Sequence, residues 1–501
     1  MSELRLGEVM TADPLTAAPS ASLAEIAAAM RGRGVGSTVI VEEGRVVGIV
    51  TERDALAALA AGAHPVAARA ESWMTRSPLT LSPADGITHA LEEMLNRSFR
   101  HIPIVDGGRL VGLVSLRQLV NAARIRHVDP WAPSTARGLE NVTVAETALS
   151  FIDGRAGRLV YRGYDAVDLA LRRSFEDVWH LLYHGDLPVD DAFARQTVRL
   201  RDLPLDRDLL GHLARRGGTF MSMLQSAISG TGAAWGIRPW HEGNPGEAED
   251  EALRIATVLP TLVAALWRLR AGHTPVDPDP SLGHAANYLW MLEGVRPSAD
   301  RMLALERYLI LTAEHGMNAS TFTARVIAST GADVVAAVAG AAGAMSGPLH
   351  GGAPSLVLDM LDEIGTPARA AACVAEAIAH GRRVMGFGHR VYRAEDPRAR
   401  CLRDTAEGLG GERVALARAV ETAALAQLRV AKPGRALYTN VEFYAAVVLE
   451  RAGIPRELFT PTFSISRAIG WTAHIVEQVR DNRLIRPSAD YIGPSDRTLT
   501  P

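Results

Sequence analysis

Four short segments of this 501-residue chain concentrate side chains that can move protons. They are Glu314-His315-Gly316-Met317-Asn318-Ala319-Ser320, Gly347-Pro348-Leu349-His350-Gly351-Gly352, Gly386-Phe387-Gly388-His389-Arg390-Val391-Tyr392-Arg393 running into Asp396-Pro397-Arg398, and Asn440-Val441-Glu442-Phe443-Tyr444. Each sets a polar residue at a helix end or a glycine turn, where backbone donors are free. Histidine titrates near neutral pH and a carboxylate accepts protons, so these segments hold candidate acid–base groups.

Other suggestive spacings carry less. His180 and His184 stand four residues apart, but His-Leu-Leu-Tyr-His has no glutamate between them and no third ligand is evident. A solvated helix face is expected there, not zinc. His241-Glu242-Gly243-Asn244-Pro245 reads as a loop, with Trp235 and Trp240 nearby as packing residues. Gly340, Gly343 and Gly347 lie in or just after a helix, whereas a dinucleotide fingerprint needs a preceding strand. There is no Walker sequence. Two cysteines, Cys373 and Cys401, cannot build a disulfide framework or a four-thiolate zinc site, and they fit a reducing compartment.

Helices must position these groups. After a short start at Val142 to Tyr164, helical periodicity dominates the region from Gly138 to Pro501. It is clearest at Phe175 to Tyr183, Ala252 to Leu269, Asp300 to Glu314, Asp333 to Ala344, Leu356 to Glu363 and Ala368 to Arg382. Many of these stretches are alanine-rich, which favours helix and close packing.

The front of the chain is a repeat. Val9-Met10-Thr11 recurs as Trp73-Met74-Thr75, and Gly44 to Thr51 recurs as Gly108 to Ser115, at a constant offset of 64 (73 − 9). In each copy two prolines punctuate an extended entry. In the first, Ser22 can cap a helix from Leu23 to about Arg31. Short apolar runs at Thr38 to Val41 and Val46 to Val50 read as strands around a tight turn, and a second helix starts near Glu52. The unit is β-α-β-β-α, and two copies can bury their sheets against each other. Residues 127–137 are proline-containing and aperiodic, and read as a linker.

Charge and hydropathy bound the partners. Lys plus Arg is 53 and Asp plus Glu is 56, a net charge of −3, which removes the electrostatic case for a general nucleic-acid binder. The N-terminus shows no basic stretch followed by an apolar run. The most apolar stretch, Ala256 to Trp267, is shorter than a membrane span of about 20 residues. A soluble cytoplasmic protein without a membrane partner is expected.

Residues 6 to about 125 resemble a tandem pair of CBS modules, giving a first domain at 1–126. The resemblance implies an adenosyl ligand such as AMP or ATP. It carries a phosphate- and ribose-binding role onto Thr51 and Asp54, where a hydroxyl at a helix start and a carboxylate can meet those groups. The second copy keeps Ser115 but has Gln118 in place of the aspartate, which puts a second ribose site in doubt. An inert pairing role is the alternative.

The four chemistry-bearing segments, with Ala145-Glu146-Thr147 and Arg467-Ala468-Ile469-Gly470-Trp471, resemble citrate synthase across 138–501. This implies a mostly all-α, two-lobed fold, with a small lobe at about 351–447, and a homodimer or higher homo-oligomer. It implies condensation of acetyl-CoA with oxaloacetate and water to citrate and coenzyme A, with the thioester as co-substrate and no tightly bound cofactor or metal. By that resemblance His350 is the neutral donor to the enolate oxygen, beside a helix beginning near Pro354 or Ser355. His389 polarises the oxaloacetate carbonyl, His315 hydrogen-bonds oxaloacetate, and Glu442 is the base where the family motif has aspartate. Arg398, Arg467 and Arg486, the last from a neighbouring subunit, grip carboxylates, and Arg393 contacts coenzyme A. 2-Methylcitrate synthase, which uses propionyl-CoA, remains an alternative. So does a catalytically weak, nucleotide-sensing scaffold.

Overall fold

A computed structural model of the chain describes residues 4–97, 99–119, 139, 142–389, 391–435, 437–489 and 493. It divides into two compact units, with the boundary between Val142 and Thr143. The linker expected at 127–137 lies outside the described residues.

The front unit realises the repeat. Its first copy runs through strand Thr16–Ala17, helix Leu23–Arg33, strands Ser37–Glu42 and Arg45–Thr51, and helix Glu52–Ala60. Ser22 closes a capping box with Glu25 at the first helix. The second copy has helix Ile87–Asn96 and strands His101–Asp106 and Arg109–Ser115, with residues 116–119 helical. Both hairpins are antiparallel, with a register shift after Ile40 and, at the repeat-equivalent place, after Ile104. Val39, Ile49 and Leu113 form a small core between the two sheets.

The recurring Met-Thr segments are exchanged between copies. Leu6, Val9 and Met10 pack into the core of the second copy, while Ala70, Trp73 and Met74 pack into that of the first. Strand Thr75–Arg76 pairs with Arg45–Thr51, and Thr11 bridges to Leu113. Gly48 and Gly112 make room for this: a Cβ at either would overlap the Sδ of Met74 or Met10. The Met and Gly repeats are thus two halves of one packing contact.

The second unit opens with a three-stranded antiparallel sheet, Ser150–Asp153, Arg158–Tyr161 and Tyr164–Asp165, and is helical thereafter. One continuous apolar core joins its helices. At its centre the final helix, Phe459–Arg480, packs along Pro245–Arg270. The latter extends the helix expected at Ala252 to Leu269: it has 26 residues, contains Pro260 and includes the most apolar stretch, Ala256 to Trp267. Proline removes one backbone bond, and burial of Leu259, Leu262, Val263 and Leu266 around it outweighs that loss. This helix is long and apolar enough to cross a bilayer, but 72% of its apolar window is buried within the unit. Ala368 to Arg382 is likewise revised: a 3₁₀ turn at Pro367–Arg369 precedes helix Ala370–Ala379. His241 and Glu242 also sit in a 3₁₀ turn, Trp240–Glu242.

Candidate active site

Five helix ends and one helix interior deliver the candidate residues. His315 follows helix Ala299–Thr312, and Ser320 lies at the start of Ala319–Ser329. His350 precedes Ala353–Ile364, which starts slightly earlier than expected. Asp396 caps Pro397–Leu409, and Asn440 caps Val441–Arg451, which carries Glu442 in its first turn. Arg467 lies inside Phe459–Arg480.

The His389 loop and the Glu442 helix are tied directly together. Gly388 N–H donates to Tyr438 O (2.8 Å), Asn440 N–H to Gly386 O (2.9 Å), and Asn440 Nδ2 to Gly388 O (2.9 Å). Gly386 has φ +85°, and a Cβ there would lie 2.6 Å from Phe443 Cβ. Gly386→Ala therefore combines left-handed strain with a backbone-level clash, about 1–3 kcal/mol. It is expected to lower the melting temperature and, by displacing His389, to cost about 100-fold in kcat. Steady-state kinetics and a thermal melt check both.

Asp396 joins this pair to the arginine. Its carboxylate accepts from Arg398 Nε (3.0 Å) and NH2 (2.8 Å) and from Val441 N–H (3.2 Å). Both side chains are sealed, at 1% and 4% exposure. Burial works against the Arg398 charge, but Asp396 more than restores it, and the guanidinium is held above its ordinary value. Arg467 differs. It is 2% exposed, its Nε donates to Thr312 O (2.8 Å), and its guanidinium stacks on Phe463 at 4.8 Å. No carboxylate lies within ion-pair distance of it among the described residues, so a buried cation stands without a hydrogen-bonded anion.

The imidazoles are held neutral. Burial, then Arg467, pushes His350 down to about 4. Burial, then Arg398, pushes His389 down to about 4. His315 is driven down by burial, then by Arg398 and Arg467. Desolvation and the Arg467 charge thus hold His350 neutral. His389 Nδ1 accepts from the N–H groups of Val391 (2.9 Å) and Tyr392 (3.0 Å), so the neutral ring carries its proton on Nε2. His315 Nε2 lies 3.3 Å from Tyr392 Oη, and its ring is 5.7 Å from that of His389. His350 Nε2 is 2.7 Å from Ser320 Oγ, which also accepts from Trp471 Nε1 (2.9 Å). The Ser320 proton can turn to Asn318 Oδ1 (2.8 Å) or to His350. Turned to His350, it leaves the ring proton on Nδ1, which has no protein partner among the described residues.

Glu442 is the opposite case. Burial pushes its carboxyl up to about 7, with Arg398 countering and Asp396 adding to the rise. Its backbone N–H is satisfied by Asn440 Oδ1 at 3.1 Å, and its carboxylate has no hydrogen-bond partner among the described residues. Glu442 and His389 sit in the same Arg398 and Asp396 fields, and Tyr308 feels both Arg467 and Glu442.

Two of the expected residues are not drawn in. Arg393 is exposed; its N–H donates to Gly154 O (2.7 Å), and its charge acts on His389. Arg486 is exposed beyond the last helix. His180 and His184 stack at 4.5 Å, but no metal-ligating cluster occurs among the described residues. Tyr392, Ser320, Asp396 and Trp471 stood in the quoted motifs without a role. The Asp-Pro-Arg sequence, a cap followed by an N1 proline, could have signalled Asp396.

In the front unit Asp54 Oδ2 accepts from both the N–H and the Oγ1 of Thr51, each at 2.7 Å, closing the cap of helix Glu52–Ala60. Gln118 Oε1 does the same for Ser115 (2.8 and 2.9 Å), while its Nε2 donates to Thr11 Oγ1 (2.7 Å). Thr51 and Asp54 line a cavity of about 430 Å³ with Arg53, Arg97, Arg100 and His101.

Comparison with known proteins places both units. The family described as citrate synthase, C-terminal domain, matches residues 138–488, and the CBS domain family matches 6–61 and 70–125. The chain is 42% identical to a citrate synthase of Haloferax volcanii over 73% of its own length and 97% of the relative's. It is 39% identical to a 2-methylcitrate synthase of Mycobacterium tuberculosis, over 73% and 93%. The solved ternary complex of citrate synthase from Thermoplasma acidophilum with carboxymethyl coenzyme A and oxaloacetate is 29% identical. It has a TM-score of 0.67, covering 74% of this chain and 98% of that one.

Proposed function

Because the chain belongs to the citrate synthase family and carries a pair of CBS domains in front, we propose that Glu442, His350 and His389 carry out its condensation of acetyl-CoA with oxaloacetate. The observation that carries this reading is the separation of proton affinities. One carboxyl is pushed up to about 7 while two imidazoles are pushed down to about 4. A base and neutral donors are thereby available together at neutral pH. A thioester methyl is a very weak acid, so its proton leaves only if the enolate oxygen is stabilised as charge develops. Glu442 takes the proton, and His350 Nδ1–H donates to that oxygen. His389 Nε2–H polarises the ketone that the enolate attacks. Water then hydrolyses the citryl thioester.

Arg398, Arg467 and His315 hold oxaloacetate, with Arg486 supplied by a neighbouring subunit of a homodimer, and Arg393 meets coenzyme A. A small lobe at about 351–447 closes over the thioester. No tightly bound cofactor is needed. Free thiols at Cys373 and Cys401 fit a cytoplasmic setting. The 2-methylcitrate synthase relative gives the propionyl-CoA reading its support. One methylene is worth about 1–3 kcal/mol in an apolar pocket, so the ratio of kcat/KM for the two thioesters decides.

The cavity at Thr51 and Asp54 supports an adenine nucleotide as regulator, acting through different affinities for two states of the enzyme. With Gln118 tied to Thr11, one nucleotide per chain is expected. Calorimetry on the full chain with AMP, ATP and S-adenosylmethionine should show that stoichiometry for at least one of them. Asp54→Asn keeps the cap acceptor but removes the charge, and should weaken binding about tenfold. Absence of heat with all three would remove the regulatory reading. The catalytic reading is tested by oxaloacetate-dependent thiol release from acetyl-CoA, which His350→Ala should slow by about 10²–10³-fold.

A further inference from the structure

Glu314 stands next to His315, is 0% exposed, and has no place in the chemistry above. Its Oε1 accepts from Ser150 Oγ (3.0 Å), His474 Nε2 (3.1 Å) and the N–H of Gly316. His474 Nδ1 faces Arg325 NH1 at 2.9 Å. An arginine nitrogen can only donate, so Nδ1 accepts and the ring proton is on Nε2, directed at Glu314. Arg325 is itself paired with Glu477 (2.7 Å). Glu314 Oε2 is the exception: it is sealed from solvent and has no partner. The final helix passes close beside it, since a Cβ at Gly470 would lie 2.8 Å from Oε2. Three residues earlier on that helix is Arg467, the buried guanidinium without a bonded anion. The strongest opposite charge acting on Arg467 is Glu314.

We infer that Glu314 is the resident counter-charge of Arg467, balancing the guanidinium in the empty cleft without occupying the N–H groups that a substrate carboxylate needs. Asp396 contacts Arg398 through two hydrogen bonds. Glu314 acts on Arg467 through its field alone, leaving NH1 and NH2 free of protein partners among the described residues. The arrangement limits affinity: an arriving dicarboxylate gains the guanidinium but also meets the Glu314 charge. Glu314 is therefore a positioning residue that sets how tightly oxaloacetate binds. The inference rests on Arg467 being a substrate-carboxylate site.

The test is calorimetric titration of oxaloacetate alone into the full-length protein, with melting curves, for wild type, Glu314→Gln, Arg467→Met and the double variant. Glu314→Gln keeps an acceptor for Ser150, His474 and Gly316 and replaces the charged carboxylate by a neutral amide, with an NH2 group in place of Oε2. It should melt earlier when empty, yet bind oxaloacetate about tenfold more tightly. A merely structural role predicts lost stability with no gain in affinity. Unchanged or weaker binding by a cooperatively melting Glu314→Gln overturns the inference. Should that variant not fold, the melting temperatures of Arg467→Met and the double variant decide. The second substitution should restore stability lost to the first, and a double variant that melts no higher than Arg467→Met overturns the counter-charge. Undiminished oxaloacetate heat in Arg467→Met, with that coupling intact, overturns the substrate-site reading instead.

Discussion

Glu442→Gln is expected to lower kcat by about 10³-fold while making the protein more stable above pH 7. The first effect follows from the role proposed for Glu442, the carboxylate that takes the methyl proton. The second follows from the carboxyl being pushed up from its ordinary 4.5 to about 7 by burial. The folded protein then holds this proton more tightly than the unfolded chain. The stability tied to it is fully present below about pH 4.5 and is lost as pH rises through about 7. At pH 8 the wild type carries a buried charge that glutamine lacks, at a cost of up to about 3 kcal/mol. At pH 4 the difference should vanish. Glu306, also pushed up to about 7 by burial, titrates in the same window but is present in both proteins and cancels. In wild type, kcat/KM should fall below about pH 7 as Glu442 protonates. Denaturant melts at pH 4 and 8, with a pH–rate profile, check both parts. Glu442→Asp restores the family residue. A parent that is inactive until this change would favour the scaffold reading, and an active parent rejects it.

His350→Ala is expected to cost about 10²–10³-fold in kcat and to leave oxaloacetate binding nearly intact. In the proposed chemistry the imidazole donates where negative charge develops, so its loss should fall on the transition state. With burial holding it down to about 4, His350 stays neutral across the working range and adds no acidic limb above pH 5. Ser320→Ala should have a smaller effect of the same sign. The ring then loses the hydroxyl at 2.7 Å from Nε2 that can place its proton on Nδ1. Steady-state kinetics of the two variants, with oxaloacetate calorimetry on each, separate a lost donor from lost binding.

The parts legible in the sequence were those written in local pattern. The 64-residue repeat announced the front unit because Met10 and Met74 must meet Gly112 and Gly48 wherever the two copies pair. The histidine motifs announced the catalytic unit because each lies on a glycine turn or a helix end, while the Arg467 motif lies inside a helix. Long-range tertiary effects were hidden. The periodicity placed a helix at Ala252 to Leu269, and the structure extends it to Pro245–Arg270, with Pro260 kept inside by burial of its flanks. Gln118 reads as a lost ligand, yet it reproduces the cap that Asp54 makes and also ties down Thr11. The Glu314–His474 contact joins residues 160 positions apart, which no spacing rule reaches.

In the proposed chemistry Glu442 removes a proton from the thioester methyl. Deuterium wash-out from acetyl-CoA labelled in its methyl group reads that step directly, before any carbon–carbon bond is scored. With an oxaloacetate analogue that fills the site but lacks the ketone, wild type should exchange its label into water and Glu442→Gln should not. Exchange by Glu442→Gln at the wild-type rate would contradict the account.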